Sequence, residues 1–428
     1  MFGIKRSQGL GNKSREEAGV SDAEYSQSEE RERRWQRVRR FLERKGLSAL
    51  VVMGSRHGEP LDAYLSNWVP GCIVIFPLER EATLLAPMIP EMLALTPETP
   101  DKERPWIHDL RAGARGAAIA AVLQEKGLER SSIGVVGLGS LRVDWEGWIP
   151  FRTWERVLSN LPRADFQDVT AEFAEVVLVK SPGELAHVRR AAQVLEHASE
   201  EMLRTVRSGA TELDVYAAIQ NVLSRSGAFT PKFILRSGPD NISWEDPPWF
   251  FGVGSPRVLN PGDIVQAEIF AWFGGLEAQV QMSVGIPPVS QVNLQCAQLA
   301  RQAYEEGVRN LKPGRKFAEV VTAMEAVLDR PGVWQLTPLI HSMNPMRCVG
   351  PTGLRIETLP GIEAYGRVGS GRIRGGEVVL EPGMVFELEP NACIGRHRVN
   401  IGGTVIVTEN GNEALNEIPC RMRLAAGM

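Results

Sequence analysis

The sequence predicts an α/β protein of two domains. The chain has 428 residues, 43% of them hydrophobic and 23% charged, which is enough material for two separate cores. Short apolar runs alternate with helix-periodic segments as far as about residue 170. Beyond that point two pairs of amphipathic helices flank a long hairpin pattern. The expected division is a polar tail over 1–22, an α/β domain over 23–170 and a second domain over 178–428.

Taken in order, the Gly-, Ser- and Lys-rich residues 1–22 read as a tail without fixed structure. EERERRWQRVRRFLERKG reads as a helix, with Trp35, Val38, Phe41 and Leu42 on one face and Gly46 ending it. SALVVM, CIVIFPL, EATLLAPM and SIGVVGL read as strands, and GAAIAAVLQEKGLE and RTWERVL as helices. GVVGLGSL lacks the spacing of a dinucleotide loop. Ser181-Pro182 is expected to end a strand and begin a long helix, with Pro182 at its first position, where a missing N–H costs nothing. A helix over TELDVYAAIQNVLSRSG starts at Thr211 with Asp214 three residues on, close to a capping box. KFILRSG then reads as a strand, and 291–311 and 316–329 as a second helix pair.

The hairpin pattern is NPGDIVQAEIFAWFGGLEAQVQMSVGIPP, residues 260–288. It reverses at Gly274-Gly275 and holds Glu268, Gln279 and Gln281 within its apolar runs. Buried, such groups are costly unless they face a ligand, a metal or one another. Alternatively they line the solvent face of a half-exposed hairpin.

A net charge of −4 gives no reason to expect nucleic acid. Five scattered cysteines, with no CxxC pair, indicate core thiols rather than a disulfide framework or a structural zinc site. The N-terminus has no apolar signal region, and no run reaches the ~18 apolar residues of a membrane span, so a cytoplasmic protein is expected.

Four stretches resemble, in order, segments of the pita-bread superfamily of prolidase, aminopeptidase P, methionine aminopeptidase and the metal-free creatinase. LVKSPGELAHVRRAAQVLEHASEEML resembles its first helix, the 260–288 pattern its metal-binding hairpin, LEPGMVFELEPNACIG its PGM-x-F-x-x-EP strand, and TVIVTENGNEALN its closing strand and turn. SALVVMGSRHGEPLDAYLSNW resembles the opening of the creatinase-type N-terminal domain. The resemblance implies a creatinase-like N-terminal α/β domain followed by a pita-bread domain. It also implies a homodimer, with Trp68 of YLSNWVPG at the interface where one subunit helps close the other's site.

The superfamily's five metal ligands fall here on Glu268, Gln279, His341, Glu389 and Gly402. With Gln279 uncharged and Gly402 bare, two neighbouring cations would lack compensation, so no two-metal centre is expected. Glu268, His341 and Glu389 remain as a set for one divalent metal ion, the alternative to no cofactor. Creatinase is not matched either: Phe251 stands at its catalytic histidine and Gln281 at one of its glutamates.

The expected function is metal-independent or mononuclear hydrolysis of a C–N bond in a small organic substrate. Glu389 is the general base, His341 its proton-donating or polarising partner, and Glu268 a second carboxylate. Gln279 and Gln281 orient substrate atoms. Trp249, Phe251 and Trp272, with Trp244 and Phe250, form either an aromatic lid or a local cluster. Arg398, beside Arg396 and His397, is a candidate to hold a carboxylate bidentately. A lyase, an Xaa-Pro-type metallopeptidase and a catalytically inactive binding homologue stay open. In MVFELEP, alternation sends Phe386 and Leu388 one way and Glu387 and Glu389 the other; Glu387→Gln is the expected near-silent control for Glu389→Gln.

Overall fold

The computed structural model describes residues 27–426 apart from 56–58, 88, 142–145, 231–232, 337, 352–355, 357–358, 360 and 367–371; the tail expected over 1–22 lies outside the described residues. The first elements are α1 (Gln27–Lys45), β1 (Ala49–Met53), α2 (Leu61–Ser66), β2 (Ile73–Pro77), β3 (Thr83–Ala86), α3 (Ile89–Leu93), β4 (Asp109–Ala112), α4 (Gly116–Glu125), β5 (Ser132–Val136), α5 (Phe151–Asn160), β6 (Asp165–Asp168) and α6 (Thr170–Val177). Their strands form one sheet in the order β4-β3-β2-β1-β5-β6. β1 and β2 are buried along their whole length because helices cover both faces, α1 and α6 on one side and α4 and α5 on the other. That is why they read as unbroken apolar runs.

Two sequence expectations change here. The segment before Ser181 is α6 and not a strand: Phe173, Ala174, Val176 and Val177 are buried at helical spacing, which outweighs the β-branched run. β4 and β6 escape an apolar-pattern reading because DLRA and DFQD are polar edge strands, half-exposed or exposed throughout.

The remaining elements are α7 (Pro182–Thr205), α8 (Glu212–Arg225), β7 (Ile234–Gly238), β8 (Ile264–Phe273), β9 (Leu276–Gly285), α9 (Gln291–Asn310), α10 (Phe317–Leu328), β10 (Val333–Trp334), β11 (Ile340–Ser342), β12 (Val385–Leu388), β13 (Asn391–Ile394), β14 (His397–Asn400), β15 (Gly402–Thr408), β16 (Gly411–Ala414) and β17 (Arg423–Leu424). The main sheet runs β11-β12-β15-β9-β8-β7, and β10-β13-β14 form a second. Capping boxes start α7 at Ser181/Glu184 and α8 at Thr211/Asp214.

Side-chain alternation sorts the main sheet into two faces. Val265, Ala267, Ile269 and Ala271 of β8, with Ala278, Val280 and Met282 of β9, pack in one core with α7 and α8. Phe386 and Leu388 of β12 and Val405 and Val407 of β15 pack with α9 and α10. The opposite face therefore receives the intervening residues Glu268, Gln279, Gln281, Glu387 and Glu389.

Candidate active site

Strand register assembles this face from segments more than a hundred residues apart. Glu268 lies opposite Gln281, Gln281 opposite Gly402, Glu387 opposite Thr404, and His341 opposite Glu387. Thr404 Oγ1 joins β15 to β9, accepting from Gln279 N at 3.0 Å and donating to the Gln279 carbonyl at 2.9 Å. All the polar side chains are buried: Glu268 is 4% exposed, Gln279 5%, His341 2%, Glu389 2%, and Gln281 and Glu387 0%. The solvent-face reading of the hairpin's polar residues is thereby excluded.

Glu389 is held from two sides. Gln281 Nε2 donates to its Oε2, and His341 Nε2 lies 3.4 Å from its Oε1. Asn391 Nδ2 donates to Gln281 Oε1 at 2.7 Å and thereby orients the amide that holds Glu389. Burial, then the charge of Glu268, push the Glu389 carboxyl well above the usual range, with the Gln281 hydrogen bond opposing. Glu268 is pushed up to about 8, mainly by burial; Trp244 and Arg398 oppose the shift and Glu277 adds to it. Glu387 is also raised by burial and by Glu389 and Glu268, although Thr404 Oγ1 lies 3.3 Å from its Oε2.

Glu387 is a residue that sequence reasoning had set aside. Its expected role as a silent control is corrected, because it is fully buried and coulombically coupled to Glu389. The signal is present in MVFELEP, where alternation puts both glutamates on one side.

Arg398 is corrected as well. It is 1% exposed, and its terminal nitrogens donate to Asn391 Oδ1 at 3.1 Å, Gln266 Oε1 at 2.7 Å and the Ser243 carbonyl at 2.8 Å. No fork is left for a substrate carboxylate. The guanidinium instead anchors Asn391, and through it Gln281. Arg396 is exposed, and His397 Nδ1 lies 3.1 Å from both the Pro239 carbonyl and Asn293 Oδ1.

The aromatic segment divides. Trp249 packs against the α7–α8 core and its ring lies 5.9 Å from that of Phe250, which in turn meets Tyr216 of α8 at 5.1 Å. For these two the local cluster is what the structure has. Phe251 is 71% exposed. Trp272 lies on the same face of β8 as Glu268, opposite Glu277 nearer the hairpin turn, and Trp244 sits beside Glu268. Trp68 packs on the N-terminal core of its own chain.

The five-ligand pattern does not fit a two-metal centre here. At Gly402 a Cβ would fall well inside contact distance of the Leu388 carbonyl oxygen, so the backbone has closed over the space a ligand side chain would need. Gln279 brings a carbonyl but no charge, and its Nε2 is engaged with Glu277 Oε1 at 2.9 Å. Among the described residues, no three His, Cys, Asp or Glu side chains are grouped to hold a metal ion. Two surface cavities, of about 480 and 400 Å³, are lined by other residues: the first by α1 and α6, the second by α9 and the segment around 414–421.

The sequence profile of metallopeptidase family M24 matches residues 186–409. An Xaa-Pro dipeptidase of Pyrococcus furiosus is 22% identical over 275 residues, covering 64% of this chain and 72% of that protein. A creatinase of a Bacillus species is 23% identical over 318 residues, 71% of this chain and 70% of its own. Among solved structures, the prolidase from Pyrococcus horikoshii superposes with a TM-score of 0.69 at 18% identity, covering 92% of this chain and 100% of that one.

Proposed function

The chain belongs to metallopeptidase family M24 and has its pita-bread fold, and on that premise we propose that it hydrolyses a C–N bond in a small organic molecule without a two-metal centre. The observation that carries this is the buried Glu389, held by Gln281 and 3.4 Å from His341. Glu389 takes a proton from water as the oxygen attacks the carbon of the C–N bond. His341 supplies a proton to the departing nitrogen, so that water is added across the broken bond. Its Nδ1 contacts the Ser342 carbonyl at 3.1 Å, so the proton it gives leaves from Nε2 of the doubly protonated ring. Glu268 and Gln279 face the substrate, and Arg398 and Asn391 hold Gln281 in place.

A reading with one divalent ion on Glu268, His341 and Glu389 keeps one observation in its favour: Glu268 Oε2 is buried and has no hydrogen-bond partner. Such an ion would polarise a substrate carbonyl or a water. The two readings separate on protein purified without chelator. Metal-independent hydrolysis expects sub-stoichiometric Mn, Fe, Co and Zn by elemental analysis and turnover unaffected by EDTA, whereas one equivalent per chain supports the mononuclear reading. On an identified substrate, Glu389→Gln keeps the volume and removes the base, with an expected loss of about 10²- to 10⁴-fold in turnover. Full turnover in that variant would exclude the proposed chemistry.

A further inference from the structure

His341 is carried on a strand that does little to fix it alone. β11 is 3 residues long, lies at the end of the main sheet and has β12 as its paired strand. The chain then turns through 343–347 and comes back beside β11, with Ser342 N donating to the Cys348 carbonyl at 2.8 Å and Gly350 N to that of Ile340 at 2.7 Å. Ser342 closes this turn from inside. Its Oγ donates to the Pro345 carbonyl at 2.8 Å and accepts from Arg347 N at 2.8 Å and Cys348 N at 2.9 Å, which uses the hydroxyl's whole capacity. The turn therefore moves as one piece, and with it moves the Ser342 carbonyl that His341 Nδ1 contacts at 3.1 Å.

Groups from outside the main sheet hold the turn. Glu59 Oε1, just before α2, accepts from Met346 N at 3.0 Å. Lys180, between α6 and α7, donates from Nζ to the Met343 carbonyl at 2.9 Å and the Leu178 carbonyl at 2.7 Å. Both contacts are charge-assisted, and Lys180 is 5% exposed, so its loss leaves two carbonyls without their donor. Arg347 also reaches Glu175 of α6 at 2.9 Å, in a pair exposed enough to contribute little. On its other side the turn is stitched to the site face. Asn344 Oδ1 accepts from Glu277 N at 3.0 Å and its Nδ2 donates to the Glu277 carbonyl at 2.9 Å, while Glu277 Oε1 holds Gln279 Nε2.

We propose that Glu59 and Lys180 are positioning residues for His341, holding the 343–347 turn so that segments outside the main sheet set where the imidazole meets Glu389. Neither touches the reacting atoms. A shift of the Met343 or Met346 peptide carries the Ser342 carbonyl with it and turns the ring from its 3.4 Å approach to Glu389. A displacement of about 1 Å at a reacting pair can cost about 10²-fold in rate, so a hydrogen bond remote from the chemistry still governs it. The kinetic consequence rests on the hydrolase reading, whereas the placement of the ring does not.

The full chain, isotopically labelled in its histidine rings, is read by heteronuclear NMR at fixed pH, with His341→Gln identifying the His341 signals. Glu59→Leu removes the acceptor for Met346 N, Glu59→Gln keeps one, and Lys180→Met removes the donor to Met343. Glu59→Leu and Lys180→Met are expected to move the His341 ring signals and to leave those of exposed His197 in place. Glu59→Gln should return them most of the way, and Glu413→Gln, which removes an exposed carboxylate paired with Arg189, should change nothing. On an identified substrate the two disruptive variants lower kcat about tenfold or more with KM little changed. A role confined to stability would lower the urea midpoint without moving the ring. That result in the folded variants overturns the positioning, as do Glu59→Gln signals displaced as far as those of Glu59→Leu. Should Lys180→Met fail to fold, Glu59→Leu, at a half-buried residue, decides. Displaced ring signals in a chain that hydrolyses no C–N substrate keep the positioning and sink the hydrolase reading. C–N hydrolysis with ring signals and kcat unchanged in the variants does the reverse.

Discussion

At Gly402 one absent side chain decides more than the loss of a ligand. The strand pairs with Gln281 on one side, and its neighbour Gly403 pairs with Leu388 on the other, so the backbone is clamped between two ladders. A Cβ added there meets the Leu388 carbonyl and has nowhere to go. Gly402→Ala is therefore expected to destabilise at the upper end of the about 1–3 kcal/mol typical of overpacking, seen as a lower urea midpoint. By the same argument, Gln279→Asp combined with Gly402→Glu should not raise metal content to two equivalents per chain. A stable double variant carrying two ions would show that the backbone yields where we expect it to be rigid. Among the neighbours, Glu389 takes its orientation from Gln281, which takes its own from Asn391 and Arg398; three of these four are side chains that carry no charge to titrate or none to spare.

The first turn of α7 ties the two halves of the chain together. Ser181 Oγ accepts from Glu184 N at 3.1 Å, and Glu184 Oε2 accepts from Ser181 N at 2.9 Å, closing the capping box. The same carboxylate takes Arg33 at 2.7 Å and Arg34 at 3.2 Å from α1, both of which also bind Glu30. A glutamate that caps its own helix and anchors another is worth more than a cap alone. Glu184→Ala is expected to cost about 2–3 kcal/mol by chemical denaturation, combining a lost cap with a broken, largely buried pair. Arg34→Met should be less than additive with it, because the two share the interaction. Full additivity would show that the inter-element link contributes nothing and that the cap is all Glu184 supplies.

For the whole molecule, buried carboxyls set how stability varies with pH. Asp62 accepts from Gly71 N at 2.9 Å and Cys72 N at 2.8 Å, yet burial pushes its carboxyl up to about 6. Its folded value lies above its unfolded one, so its contribution is fully present below pH 4 and is lost as pH rises through about 6. The upper bound is about 3 kcal/mol, and Asp62→Asn should flatten the fall in denaturation midpoint between pH 4 and 7. An unchanged slope would mean that Asp62 ionises freely in the fold. Assembly is a second property at this scale. Phe250, Phe251 and Val253 are 50%, 71% and 64% exposed on one short segment, an apolar stretch of the kind that can serve as a contact surface. We expect a homodimer in solution, and light scattering that reports a monomer at micromolar concentration would remove that expectation.

Local periodicity is written residue by residue, and that part of the protein was open to reading from the sequence alone. The 3.6-residue spacing of α1, α7 and α9, the capping residues Ser181 and Thr211, and the strand–turn–strand pattern about Gly274-Gly275 each depend only on near neighbours in the chain. The ordered motifs from 178 onward pointed to the pita-bread fold through their resemblance to segments of that superfamily. Polar edge strands such as β4 and β6 carry no such period and were missed. What only the tertiary structure decided is who meets whom across the sheet. Glu268 and Gln281 lie on one hairpin, but Gly402, Glu387 and His341 reach them through pairings that no local pattern specifies. Burial of Glu387, the commitment of Arg398 to Asn391 and Gln266, and the closing of the backbone at Gly402 all follow from those pairings, because desolvation and contact depend on neighbours in space rather than in sequence.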